Sequence, residues 1–545
     1  MSKIKIFGMG GLDENGKNTY IVEVDNKIFI FDAGLKYASD SNFGIDYIIP
    51  DYKYLVENRK RIVGVFVTHA HPESYGGVSD LIKNIPEIKV YALKYTINQL
   101  ILDGVSEKNL HVLMPHKKMN FTKELSIFPI TVNHSVPDSC MYVLNTQDGA
   151  IVYTGDFIID PSMMGAYHMD LGKIAYVGKQ GVLALLGESS FAENIGHTSP
   201  NHHLSSFFKK LIAKTDGRII FSVLPVHLYT IEGIFNAAKN SHRKVVVMGK
   251  KLQNIINMAI KENYINIEEG QIGDLSNVND HNSILLISDD RSNAYNMLER
   301  IIAGNDKFIK LNEHDTVCFA EPKYDENEKA FVKVENELAI KGINTVSIPK
   351  DKGISLHASS EDIMIMLDLL KPKYYIPVKG EYRYMVRNAD LATNLGYSSE
   401  NIILKQNGDI VNFIDKKLVD KMEHINIDDT LIDGNSIEDI GDLVLKDREV
   451  LSENGIVLVS ATLSKKDKKI LVGPEITTRG FIYVKDSKEM IDEIKRISLE
   501  VIENNTTDKY IDFNNIKNDI RERLGKYFYV ETECKPMIIA VIQEI

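Results

Sequence analysis

The stretch 63–77, VGVFVTHAHPESYGG, constrains the fold of this chain more than any other. Its apolar beginning, 63–67, has the composition of a strand buried on both faces of a parallel sheet. The run stops at Thr68 and delivers His69 and His71 with one small residue between them. The carboxyl ends of parallel strands are where α/β sheets gather their ligands. An H-x-H pair there points two imidazoles at one place, as zinc or a similar ion requires. In isolation such a pair is more often two satisfied loop histidines, so the reading rests on its surroundings. Gly76-Gly77 is expected to free the backbone for a sharp turn into a helix over 75–85, with a strand at 89–92.

The same design recurs twice downstream. ITVNHSVPDS runs a strand into His134 and a Pro-Asp turn, and IVYTGDF runs another into Asp156. Two imidazoles, a third and a carboxylate brought to one rim form a donor set for a metal ion. Upstream, KIKIFGMGG, TYIVEVD and KIFIFDAG alternate as strands, with turns at Gly10-Gly11 and Asn15-Gly16. Asp32 closes the third of them, placed to cap a turn.

With 545 residues the chain has room for two to four domains. Its apolar and charged fractions, 44% and 26%, are those of a soluble globular protein. No apolar run reaches the length of a membrane span, and MSKIKIFGMGG has no secretory core. Three scattered cysteines, Cys140, Cys318 and Cys534, suit a reducing cytoplasm and form no cysteine metal cluster. A net charge of −12 leaves any RNA-binding surface to a local groove.

THAHPESYGG resembles the HxHxDH motif of metallo-β-lactamase proteins, with Glu73 and Ser74 where that motif has Asp and His. The likeness of Asp32 to the structural acid of those proteins implies that it orients the loop carrying His69 and His71. ENGKNTYIVEVDNKIFIFDAG, NHSVPDS, TGDFIID, GESSFAENIGHT, ISLHASSED and KPKYYIPVKGEYR resemble the ribonuclease J family in order and spacing, over nearly the whole chain. The resemblance implies an α/β protein: an αββα metallo-β-lactamase sandwich, an inserted β-CASP α/β domain and a small C-terminal α/β domain. It places the first domain at 1–205 and 357–440, the insertion at 206–356, a linker at 441–449 and an oligomerisation domain at 450–545. Residue patterns agree with an α/β insertion, with strands at 218–223, 244–248, 283–288 and 316–319 and helices at 231–239 and 294–302. The segment 415–446 reads as a connector. A βαββ-like pattern then follows in GIVLVSATLS, GFIYV, helices at 487–503 and 515–524, and KPMIIAVIQEI.

By the same resemblance, His69, His71, His134 and Asp156 hold a first ion, zinc or manganese, and Asp156 bridges to a second about 3.5–4 Å away. The second set falls on Glu73, Ser74 and Lys379, the last replacing a histidine in PVKGE. Glu73 is a methylene too long, Ser74 is a poor neutral ligand, and an ammonium has no lone pair to give. Pointing inward, Lys379 is expected to replace the second cation between Glu73 and Asp156, leaving at most one ion per chain. Glu188 and His357 match the family's acid–histidine pair, which protonates the leaving oxygen, and Ser355 and Ser359 flank that histidine as RNA contacts. The loop 288–294, SDDRSNA, puts two aspartates where the family faces phosphate, and the segment LPVHLY at 224–229 also departs from the family's polar version.

Three readings follow. The first is a weakly active or inactive subunit, binding single-stranded RNA in a homo-oligomer or beside an active ribonuclease J. The second is a working 5′-3′ exo- and endoribonuclease with a single metal site. The third, more remote, is a small-molecule hydrolase on the same fold.

Overall fold

The computed structural model describes residues 2–38, 44–198, 204–288, 295–320, 328–349, 355–434, 442–482, 488–506 and 511–545. Two compact units emerge, one of 1–37 with 48–430 and the other of 38–47 with 431–545.

Two facing sheets build the core of the larger unit. In the first, Lys3–Gly10, Thr19–Val24 and Lys27–Phe31 run antiparallel, and Ile62–Phe66, Val90–Ala92 and Leu110–Val112 add in parallel. The strand that ends before His69 thus lies inside a parallel segment, as its unbroken apolar run predicts. In the second sheet Ser126–Thr131, Cys140–Thr146 and Gly149–Tyr153 are antiparallel, followed in parallel by Val182–Glu188 and Tyr374–Val378. Phe29, Phe31, Phe66, Tyr142 and Tyr153 fill the space between the sheets. Helices Leu171–Gln180, Ser360–Leu370 and Tyr382–Asn394 carry buried apolar residues of the outer layer over the second sheet. This is the expected αββα sandwich.

Val182–Glu188 and Tyr374–Val378 are neighbours in space but nearly two hundred residues apart in sequence. Between them the chain leaves to form a separate five-stranded, all-parallel sheet in the order Val245–Val247, Ile284–Ile287, Ile219–Ser222, Thr316–Phe319, Asn344–Ser347. Four of these strands match the sequence expectation to within a residue at either end. The fifth, half-buried and ending in polar residues, gave no apolar run to read. Helices Leu204–Lys214, Lys250–Lys261 and Glu328–Ile340 went equally unread, although each buries an amphipathic stripe.

Several expectations need correction. Gly76 and Gly77 take ordinary right-handed conformations, with φ of −63° and −86°. They are small because the loop is packed tight, not because it needs unusual backbone angles. A Cβ on Gly77 would lie 2.6 Å from the Tyr52 hydroxyl, and one on Gly34 would strike the Glu73 carbonyl. The helix expected over 75–85 is two short ones, Pro72–Tyr75 and Val78–Asn84, broken at that packed pair. The connector read at 415–446 contains the strand Lys417–His424 on the edge of the first sheet. Of the linker read at 441–449, residues 442–449 belong to the helix Asp442–Asn454, and 441 lies outside the described residues.

In the smaller unit Ile456–Leu463 is the central strand, antiparallel to Ile470–Arg479 and parallel to Met537–Glu544. The second strand is therefore ILVGPEITTR; GFIYV begins just beyond its end, because the chain has already paired through residues of lower apolarity. Helices Lys488–Asn504 and Phe513–Thr532 cover one face through Ile494, Val501, Ile520, Leu524 and Phe528. Among the described residues no helix is long and apolar enough to cross a membrane.

Candidate metal centre

Every side chain of the centre arrives from a strand end. His69 and His71 follow Ile62–Phe66 in the first sheet; His134 and Asp156 follow Ser126–Thr131 and Gly149–Tyr153 in the second. All four are buried, with donor atoms within 4.8 Å of one another. His69 Nε2 lies 3.3 Å from Asp156 Oδ2, and His134 Nε2 lies 3.2 Å from His71 Nδ1. His69 Nε2 and Asp156 Oδ2 are buried without a hydrogen-bond partner, an arrangement costly to leave unfilled and suited to a cation. Burial lowers the His69 pKa to about 4, keeping the imidazole neutral as ligation requires.

Outer partners orient these rings. Thr68 Oγ1 sits 2.9 Å from His69 Nδ1 and donates to Asp32, which also accepts the Thr68 backbone N–H at 2.8 Å and the Tyr153 hydroxyl at 2.7 Å. With the hydroxyl proton given to Asp32, Thr68 accepts from Nδ1–H and leaves the Nε2 lone pair facing inward. Asp32 thus orients the metal loop, and burial raises its pKa to about 6. His71 donates from Nε2 to the Val226 carbonyl at 3.0 Å, which directs Nδ1 into the cluster, 3.2 Å from His134 Nε2. The residues present fit one ion held by His69 Nε2, His71 Nδ1, His134 Nε2 and Asp156.

A second group with donor atoms within 4.8 Å of one another, Asp156, Glu188 and His357, shares that carboxylate, and a lysine stands against it. Lys379 lies at the end of Tyr374–Val378, with its backbone in the left-handed region at φ +59° and its side chain buried. Its ammonium binds Asp156 Oδ1, the oxygen turned away from His69. Burial opposes its charge, but Asp156, Asp32 and Glu188 outweigh burial and raise the Lys379 pKa. Asp156, penalised by burial, is held well below the usual carboxylate range by Lys379 and His357. The expectation that Glu73 shares this lysine needs correction: Lys379 pairs with Asp156, and Glu73 Oε1 turns instead to His71 Nδ1 at 3.3 Å. Ser74 is buried, with its hydroxyl unpartnered.

Beside this pair, Glu188 Oε2 accepts from His357 Nδ1 at 2.7 Å, while Oε1 accepts the Phe157 N–H at 2.8 Å. Burial would lower the His357 pKa; Asp156, 3.7 Å away, and Glu188 together raise it. His357 remains partly exposed, with the Phe191 ring 4.9 Å away. Ser355 Oγ donates to the His357 carbonyl at 2.8 Å. Ser359 is buried at the start of helix Ser360–Leu370 and donates its N–H to Asp362 at 3.2 Å. Of the altered loop SDDRSNA, residues 289–294 lie outside the described residues.

Four family models cover most of the chain: metallo-β-lactamase superfamily at 12–168, ribonuclease J β-CASP domain at 216–338, Zn-dependent metallo-hydrolase RNA specificity domain at 350–404, and ribonuclease J C-terminal domain at 443–545. Proteins named ribonuclease J 2 from Staphylococcus epidermidis and Staphylococcus aureus are each 33% identical, over 99% of this chain and 98% of theirs. The chain belongs to the ribonuclease J family. A crystal structure of a protein of unknown function from Enterococcus faecalis V583 superimposes with a TM-score of 0.53 at 16% identity, over 75% of this chain and 100% of that one. That likeness bears on the fold alone.

Within this ribonuclease J fold, His227 is the residue that sequence reasoning passed over. It comes from the β-CASP domain, lies parallel to His71 with ring centres 6.5 Å apart, and is buried with both nitrogens unpartnered. Burial first, then the neighbouring His71, lowers its pKa to about 3. It also follows a strand, Ile219–Ser222, the same signal that marked His134.

Proposed function

We propose that this chain is a ribonuclease J-type RNA degradation and maturation protein that holds at most one ion, zinc or manganese. Its place is cytoplasmic mRNA decay and rRNA processing, on single-stranded RNA, as a weakly active or inactive subunit in a homo-oligomer or beside an active ribonuclease J. The observation that carries this reading is the Lys379 ammonium on Asp156, which occupies the carboxylate a bridging second ion needs. Two-metal phosphodiester hydrolysis clamps both attacking and leaving oxygens, and one ion with a fixed ammonium supplies that clamp only in part. When bound, the single ion would polarise a phosphoryl oxygen or activate water. Around it, His69, His71, His134 and Asp156 hold the charge, and His357, whose pKa Asp156 and Glu188 raise against the opposing effect of burial, is placed to offer a proton to the leaving oxygen. Ser355 and Ser359 are assigned to RNA contact beside His357. The domain order follows the boundaries read from sequence, with the helix Asp442–Asn454 as the connection.

A second reading, a working exo- and endoribonuclease on a single ion, draws on the intact 2.7 Å Glu188–His357 pair. Degradation of 5′-labelled RNA by the purified chain, compared with the Glu73→Asp, Ser74→His, Lys379→His triple variant, separates the two. The first reading expects the triple variant to cleave at least tenfold faster with added Mn²⁺. Parent activity equal to the triple variant would reject it. Elemental analysis should find no more than one tightly held ion per parent chain, and two would mean that Glu73 adapts.

A further inference from the structure

The β-CASP domain reaches the metal centre at one loop. After Ile219–Ser222 the chain lays residues 224–229 onto the loop that carries His71 and His134. The Val226 carbonyl accepts from His71 Nε2 at 3.0 Å and from Ser135 Oγ at 3.1 Å. The Tyr229 N–H donates to the Ser135 carbonyl at 3.0 Å, and the Tyr229 ring meets Tyr167 edge-on at 5.0 Å. Ser135 Oγ also lies 3.1 Å from His71 Nε2, so the tautomer of this candidate ligand is held jointly by that hydroxyl and by a backbone carbonyl of the other domain. A second set of contacts fastens the two domains away from the ligands. Tyr264, just past helix Lys250–Lys261, donates its hydroxyl to Asp138, packs edge-on against Tyr95 at 5.3 Å, and has the Lys94–Glu262 ion pair beside it.

We propose that metal loading of the His69–His71–His134–Asp156 cluster and seating of the β-CASP loop are coupled, with the Val226 carbonyl as the positioning group for His71. This rests on the reading of that cluster as a metal site. An ion on Nδ1 draws electron density from the ring and makes Nε2–H a stronger donor, so it tightens the bond to Val226. Conversely, a seated Val226 carbonyl selects the tautomer whose Nδ1 can ligate. Linkage makes the coupling reciprocal: whatever unseats the loop weakens the ion, and whatever removes the ion loosens the loop. Seating is also opposed from within, because it buries His227 with both ring nitrogens unpartnered. A contact that is favoured and opposed in this way is readily biased by a ligand.

The test is Zn²⁺ affinity of the full chain by chelator competition, joined to hydrogen exchange of residues 223–231 with and without Zn²⁺. Four proteins are compared: the parent, Ser135→Ala, Tyr264→Phe and His134→Ala. Tyr264→Phe keeps the ring on Tyr95 and loses only the hydroxyl, and it touches no ligand, so a merely structural role would leave zinc affinity unmoved. The coupling expects one Zn²⁺ in both Ser135→Ala and Tyr264→Phe, bound about tenfold more weakly in the first and several-fold more weakly in the second. It also expects Zn²⁺ to slow exchange of 223–231 in the parent and not in His134→Ala. Parent-like affinity in Tyr264→Phe, whatever Ser135→Ala shows, or loop exchange indifferent to Zn²⁺, overturns the coupling while leaving the metal site standing, because Ser135 also touches His71 directly. Zinc binding that is absent from the parent, or unchanged in His134→Ala, overturns the metal site and the coupling with it.

Discussion

Lys379 sets its ammonium against Asp156 inside the cluster. A buried ammonium is tolerated because Asp156 lies against it and Asp32 and Glu188 add their fields. Lys379→Met keeps the length of the stem and the same left-handed backbone, so the change isolates the charge. Asp156, Glu188 and Asp32 then lose the ammonium and keep His357 beside the first two, and breaking a buried pair costs about 3–5 kcal/mol. The expected outcome is a lower melting temperature near neutral pH, partly restored by Mn²⁺ or Zn²⁺ through binding to the folded state. A variant that melts like its parent and ignores metal would mean that the ammonium contributes nothing there. Asp32 gives a pH signature. Burial raises its folded pKa to about 6, above the 3.8 of an exposed aspartate, so the unfolded chain ionises it first. Stability from this group is complete below pH 3.8 and is lost as pH rises toward 6, by about 3 kcal/mol in all. Metal-free Asp32→Asn should show a flatter stability profile between pH 4 and 6 than its parent. Matching slopes from urea melts across that window would remove the assignment.

At the level of elements, what could be read in advance followed how much of a residue's role is local. The strand into His69 was legible because burial on both sides leaves a plain apolar run, and the strand ends at His134 and Asp156 repeated its pattern. The Glu188–His357 pair was legible through family likeness, since 169 residues separate its members in sequence. Gly76-Gly77 was recognised as special for the wrong reason, since a close approach leaves the same residue type as a left-handed turn. The approach of His227 depends on the docking of a distant segment, which local pattern does not encode, whereas Glu73 turns to His71 two residues before it. In the β-CASP sheet the same limit hid the pairing of Arg218 with Asp315. That pair is fully buried, with Nε 3.0 Å from Oδ1 and a second bond from Nη2 to Oδ2, and Arg218 also donates to the carbonyls of Val278 and Lys310. Arg218→Ala strands a buried carboxylate and two carbonyls, so denaturant melts should show a loss of about 3–5 kcal/mol. A loss under 1 kcal/mol would mean that water replaces the guanidinium.

For the whole molecule the open question is assembly, and the smaller unit bears on it by itself. Helices Lys488–Asn504 and Phe513–Thr532 cover one face of its three-stranded sheet, where Val457, Val459, Ala461 and Leu463 are buried. The alternate residues of Ile456–Leu463 stay half-buried on the other face. Leu471 and Val472 on the neighbouring strand are more than half exposed, as are Tyr529 and Val530 on the long helix, and Leu443 on the helix before the sheet is 72% exposed. A sheet with one helical layer and exposed branched residues on its edge strand and flanking helices has apolar surface that a solitary chain leaves wet. Closed symmetric pairing is the commonest way to bury such a surface. Removal of 443–545 should therefore shift the chain from oligomer to monomer in sedimentation velocity. Leu471→Lys with Val472→Glu in the full chain should weaken association without lowering the melting temperature of the larger unit, since neither residue belongs to it. A truncated chain that sediments at the parent's oligomeric state would place the association surface on the larger unit instead.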